Sequence, residues 1–187
     1  FMLMSAGIGL AFCGLPLYVG SAAAYIMDIL HLPETAFAWL FVPMVGGLML
    51  GSAMASRYAH RIPAERMVRL GFLVMGFGVV LSVIYTSLFT AAVPYAVLPF
   101  VFYTFGLSLA SPSMTVIALS IFPEMRGLAA SMQGFIQMAL FALVSGLVAP
   151  MVFGSAAGLA WTHALLLAAG LGFWEAGGRA RAAGPRA

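Results

Sequence analysis

The sequence reads as an all-α membrane protein, six transmembrane helices gathered into one bundle. Three observations lead there. Hydrophobic residues make up 64% of the 187 and the mean hydropathy is +1.10, while only 7% carry a charge. An ordinary soluble domain has about 25% charged residues, so a globule of this composition would lack a polar shell. Six apolar stretches reach the roughly 20 residues needed to cross the hydrocarbon core. Finally, the basic residues, all eight of them arginine, fall on alternate connections between those stretches.

Span one covers residues 2–27, an apolar run closed by the breaker-rich "DILHLPET". At about 100° per residue, its Tyr18, Ser21, Tyr25 and Asp28 fall within roughly 80° of one another, with Gly7 and Gly14 on the same side. Span two, residues 36–56, carries Gly47 and Gly51 in a G-x-x-x-G pattern that lets another backbone approach closely. The stretch "SRYAHRIPAERMVR" follows, holding Arg57, Arg61, Arg66 and Arg69. Span three, residues 67–89, is apolar around its middle, with Tyr85, Thr86 and Ser87 at its outer end.

Span four, residues 92–119, sets Thr104, Ser108, Ser111 and Thr115 within an arc of roughly 60°. Pro16, Pro99 and Pro112 are expected to interrupt spans one and four. Span five, residues 127–149, holds Gln133 and Gln137 one turn apart on one face. Span six, residues 157–175, has an apolar middle and places Thr162 and His163 near its outer end. Residues 1–176 thus form the bundle, and 177–187 are expected to be a disordered basic tail.

With six spans, the connections after spans two and four share a side with both chain ends. All eight arginines lie there: the four after span two, Arg126 after span four, and Arg179, Arg181 and Arg186 in the tail. Basic loops stay cytoplasmic, so the C-terminus is expected in the cytoplasm. A polar side chain within a membrane should face protein or water, which makes the arcs of spans one and four a candidate cavity lining. Bonding to helix carbonyls and between helices is the alternative for each residue. Spans three and six read as lipid-facing.

Other chemistries find no support. The single cysteine, Cys13, precludes an intrachain disulfide and a two-cysteine metal site. His31, His60 and His163 are scattered, and neither H-E-x-x-H, G-x-S-x-G nor a phosphate-cradling glycine loop occurs. The acids are split: Asp28 and Glu34 are assigned outside, and Glu65, Glu124 and Glu175 inside near arginines. Neither an enzyme, a metal, a cofactor nor a nucleic-acid partner is expected. Asp28 stands closest to the candidate cavity, as an acid at its outer mouth.

Beyond these patterns, "GSAMASRYAHR", "FAWLFVPMVGGLMLGS" and "SPSMTVIALSIFPEMRGLAASMQGFIQM" resemble the C-terminal half of a major facilitator superfamily transporter. The likeness is to the bicyclomycin-resistance (Bcr/CflA) branch of drug/proton antiporters. Gly51, Arg57 and Arg61 match the superfamily's cytoplasmic loop motif, whereas Ser56 stands in place of aspartate and Ala59 in place of glycine. Pro112, Gly127, Ala129, Gly134, Phe135 and Gln137 fit the branch pattern, and Ser113 replaces its usual asparagine.

The resemblance implies a twelve-helix fold of which this chain is the second half. The start at Phe1, inside a hydrophobic run, likewise leads to the expectation that the chain is part of a longer protein. Its partners would be the lipid bilayer, a missing N-terminal six-helix half, protons and a small amphipathic substrate. Tyr18, Ser21, Tyr25, Thr104, Ser108, Ser111, Thr115, Gln133 and Gln137 would contact substrate. Gly51, Arg57 and Arg61 would form the inward gate. The expected setting is a bacterial inner membrane. The rival readings are a metabolite transporter for sugars, amino acids or siderophores on the same fold, a membrane-embedded enzyme, and a non-transporting six-span scaffold.

Overall fold

The computed structural model describes residues 1–59, 61–90 and 92–183, the side chain of Glu34 apart. Among them are six helices long and apolar enough to cross a membrane: Met2–Gly20, Thr35–Tyr58, Ala64–Leu88, Leu98–Leu119, Arg126–Val152 and Ala156–Ala183. These are spans one to six. The protein is a multi-pass helical membrane protein.

The expected interruption of span one is present, and two other local features differ from the sequence expectation for simple reasons. Span one breaks at Cys13, between helices Met2–Phe12 and Gly14–Gly20, and ends in a π-helical turn at Ala24–Ile29. Pro16 brings no N–H to the ladder three residues after the break. Pro99 does not interrupt span four, because the helix begins at Leu98 and a proline in the first turn forfeits no bond. The tail expected to be disordered from residue 177 stays helical to Ala183. Alanine and arginine are strong helix formers, and Arg181 complements the dipole of the last turn.

Spans one and four form the middle of the bundle, with 56% and 50% of their most apolar 18 residues buried, against 22% for span two and 11% for span five. Span four packs along spans two and three, span one packs along spans five and six, and span three meets span six. Exchanging one with four, two with five and three with six leaves this scheme unchanged. Helices three crossings apart run in opposite directions, so the exchange describes an inverted repeat.

The glycines show the repeat at atomic scale. A Cβ at Gly7 of span one would stand 2.8 Å from the Trp174 nitrogen and 2.9 Å from the Gly170 oxygen of span six. At Gly106 of span four it would stand 2.7 Å from the Met75 nitrogen and 2.5 Å from the Gly71 oxygen of span three. Each counterpart is 99 positions away: 7 and 106, 71 and 170, 75 and 174. Gly78 and Gly177 obey the same offset, packing on Tyr103 and Met4 respectively. Small residues let the backbones touch, which supplies the van der Waals packing that holds helices together where lipid offers no hydrophobic drive.

Candidate functional site

The polar arcs of spans one and four turn inward, and Tyr18, Ser21, Tyr25, Thr104, Ser108 and Gln133 are all buried. Thr104 Oγ1 donates to the Phe100 carbonyl at 2.8 Å, and Ser108 Oγ donates across the helix interface to the Leu48 carbonyl at 2.8 Å. Gly47 and Gly51 of span two make room for this pair, the first facing Thr104 and the second Ser108. Tyr25 donates to the Ala96 carbonyl at 3.3 Å. Gln133 Nε2 donates to Thr115 Oγ1 at 3.2 Å, tying span five to span four. In this conformation Tyr25, Thr104, Ser108 and Thr115 bond to the chain packed around them, whereas the Ser21 hydroxyl is buried without a partner. Ser111, Thr115 and Gln137 are half-buried.

The remaining sequence-derived residues separate by depth. Gly51 is buried, while Arg57, Arg61 and Asp28 are exposed. Arg57 occupies the last turn of its helix, where a cation suits the dipole. His60, Ala91 and residues 184–187, including Arg186, lie outside the described residues.

A buried polar layer that sequence reasoning missed lies between spans one, three, four and six. His163 is 2% exposed rather than being set on a lipid-facing outer end. Its ring meets Tyr103 edge-on at 4.2 Å between centroids and Tyr18 at 5.6 Å. Tyr103 reaches into the break of span one, where its hydroxyl donates to the Ala11 carbonyl at 2.7 Å and lies beside the Gly14 and Leu15 amides. Gly14, facing both Tyr103 and His163, leaves the space that lets them converge. Ser82 of span three is also buried, and its hydroxyl lies near the Tyr18 phenol. Both ring nitrogens of His163 lack a hydrogen-bond partner.

One sequence signal points to this inward orientation. His163, Gly170 and Gly177 recur every seven residues, so the histidine shares the buried glycine stripe of span six.

A cleft of about 740 Å³ opens elsewhere, on the arginine side between spans three and six. Phe72, Leu73 and Trp174 form apolar parts of its wall, while Arg69, Glu175 and Arg179 line it with charge. It does not open on the polar arcs.

In comparison with known proteins, the chain matches no family model, no curated protein and no solved structure.

Proposed function

We propose that the chain is the second six-helix half of a proton-coupled exporter of small amphipathic molecules, of the major facilitator type and its bicyclomycin-resistance branch. The observation that carries this reading is the inverted repeat. Two interlocked three-helix units related by exchange of spans one to three with four to six are the internal architecture of such transporter halves. The sequence motifs quoted above support the same branch independently of the packing.

In this reading transport is alternating access, in which this bundle rocks against a companion half around a substrate held near the midplane. Spans two and five, the least buried, present the faces that meet the companion. Those faces carry Met49 and Met54 on span two and Met132, Met138 and Met151 on span five. Unbranched, polarizable methionine adapts to irregular and varied surfaces, as a multidrug pathway requires. Half-buried Ser111, Thr115 and Gln137 are accessible without dismantling the bundle, whereas Tyr18, Tyr25, Thr104 and Ser108 reach substrate only when the helices move apart. The arginine-bearing ends lie in the cytoplasm of a bacterial cell, where Arg57 and Arg61 anchor the inward gate.

The test is efflux from a drug-hypersensitive bacterium expressing the full protein. A lower intracellular level of at least one amphipathic cationic dye, restored by a protonophore, is the expected result. Unchanged accumulation across a broad dye and antibiotic panel, combined with uptake of a sugar, amino acid or siderophore, would replace the exporter with the metabolite reading.

A further inference from the structure

We propose that His163 is a proton-binding site inside the membrane, gated by the break in span one. Among the described residues it is the only buried side chain with a basic nitrogen, since every described arginine and the other described histidine, His31, are exposed. Seven residues separate it from Ala156, the start of span six, which sets it roughly 10 Å along the helix. An ionisable group at such a depth is costly and marks a functional path more often than a packing position.

Its surroundings make the assignment specific. Buried polar atoms are nearly always satisfied, yet both ring nitrogens are unpartnered in a site built from four spans. The titratable groups facing the ring are the Tyr18 phenol from span one and the Tyr103 phenol from span four. Cys13 lies at the adjacent break, and span three contributes the neutral hydroxyl of Ser82 to Tyr18. All described acids are exposed. No fixed carboxylate therefore compensates an imidazolium here, and its charge is tolerated only while water reaches the ring.

That requirement links the proton to a movement. The Tyr103 hydroxyl occupies the break by donating to the Ala11 carbonyl, and His163 packs on Gly14 immediately beyond it. Bending span one at Cys13 withdraws both contacts together and opens the layer. A hydronium ion arriving through that water then transfers a proton to a ring nitrogen, one N–H bond forming as a hydronium O–H bond breaks to leave water, and return of the neutral ring to the closed layer requires the proton to pass back to water. Loading and unloading thus accompany opposite bends of span one. This deepens the proton-coupled reading and rests on it for its physiological role, although proton binding itself stands on the local geometry.

The experiment uses the full protein in lipid bilayers with ¹⁵N-labelled histidine and with the protein's other histidines replaced by asparagine, including His31→Asn and His60→Asn. The His163 ring signals are followed from roughly pH 5 to 9, the range in which imidazole chemistry is informative. Conversion between neutral and cationic signals is expected, with a midpoint displaced by Tyr103→Phe. A ring that stays neutral in one tautomer throughout would overturn the proposal and make His163 a packing residue. Substrate movement driven by a pH gradient is measured in the same vesicles. Gradient-driven movement with a silent ring removes the His163 site but keeps the transporter; a titrating ring without such movement keeps the site and removes its coupling role.

Discussion

At the residue scale, small size matters as much as polarity. Gly106 is closed in by backbone atoms of Gly71 and Met75, which cannot swing aside as a flexible side chain would. Gly76, on the same span as Gly71, has nothing within 4 Å of the place a Cβ would take. We expect Gly106→Ala to destabilise the protein by roughly 1–3 kcal/mol, the usual range for overpacking. Gly76→Ala should be neutral or slightly stabilising, because alanine is the better helix former. Thermal unfolding in detergent, followed by retention of a monodisperse species, measures both; equal losses would show that backbone proximity is not the cause. Ser108 belongs to the same scale. Its bond to Leu48 is interhelical, so Ser108→Ala should cost only about 0.6 kcal/mol, the average for such bonds in a membrane. A loss several times larger would indicate that its hydroxyl serves more than packing.

At the element scale, irregular helices coincide with helix junctions. Span one breaks at Cys13, and span five contains a π-helical turn at Val144–Val148. The helix that follows the break, Gly14–Gly20, packs on this π turn, with Gly20 against Ser145. Such π turns occur often at functional sites because they redirect side chains and loosen the regular ladder. Replacing Pro16 by alanine restores a backbone donor near the break. The expected outcome is a straighter, less mobile span one, visible as slower amide exchange around Cys13–Leu17 and, under the proposed function, a reduced transport rate with folding intact. Unaltered exchange would show that Tyr103, lodged at Ala11, maintains the break by itself.

At the scale of the whole molecule, the exposed faces allow a test of the proposed companion half. Leu73, Phe77 and Val80 of span three and Leu128, Phe135 and Met138 of span five are all exposed in this bundle. Spin labels at 73, 77 and 80 should show high accessibility to lipid-soluble oxygen, while labels at 128, 135 and 138 should be shielded in the full protein under the proposal that a companion half covers them. High accessibility at both faces would mean that span five meets lipid and would remove the companion from the proposal. Topology has its own check. Cysteines placed at Ser56 and Met125 should react with a membrane-impermeant reagent only from the arginine side, and one at Leu32 only from the other.

The sequence by itself determined the membrane as solvent, the six spans and the side on which the arginines gather. These follow from long-range averages of polarity, which neighbouring helices do not alter: span two, read as 36–56, is Thr35–Tyr58, and span five, read as 127–149, is Arg126–Val152. The central place of spans one and four was also legible, because their polar arcs cannot face lipid. Tertiary structure decided what those arcs touch. Thr104 and Ser108 meet span two because Gly47 and Gly51 admit them, and His163 turns inward because Gly14 and the break at Cys13 leave it room. Each outcome depends on a missing Cβ on a different helix, a relation between residues tens of positions apart that periodicity along one span does not encode. The repeat linking Gly7 with Gly106 and Gly71 with Gly170 was present in the sequence as a constant offset, but it acquired meaning only when the partners faced each other. Helix association in a membrane depends on which surfaces fit closely, and that fit is a property of the assembled bundle.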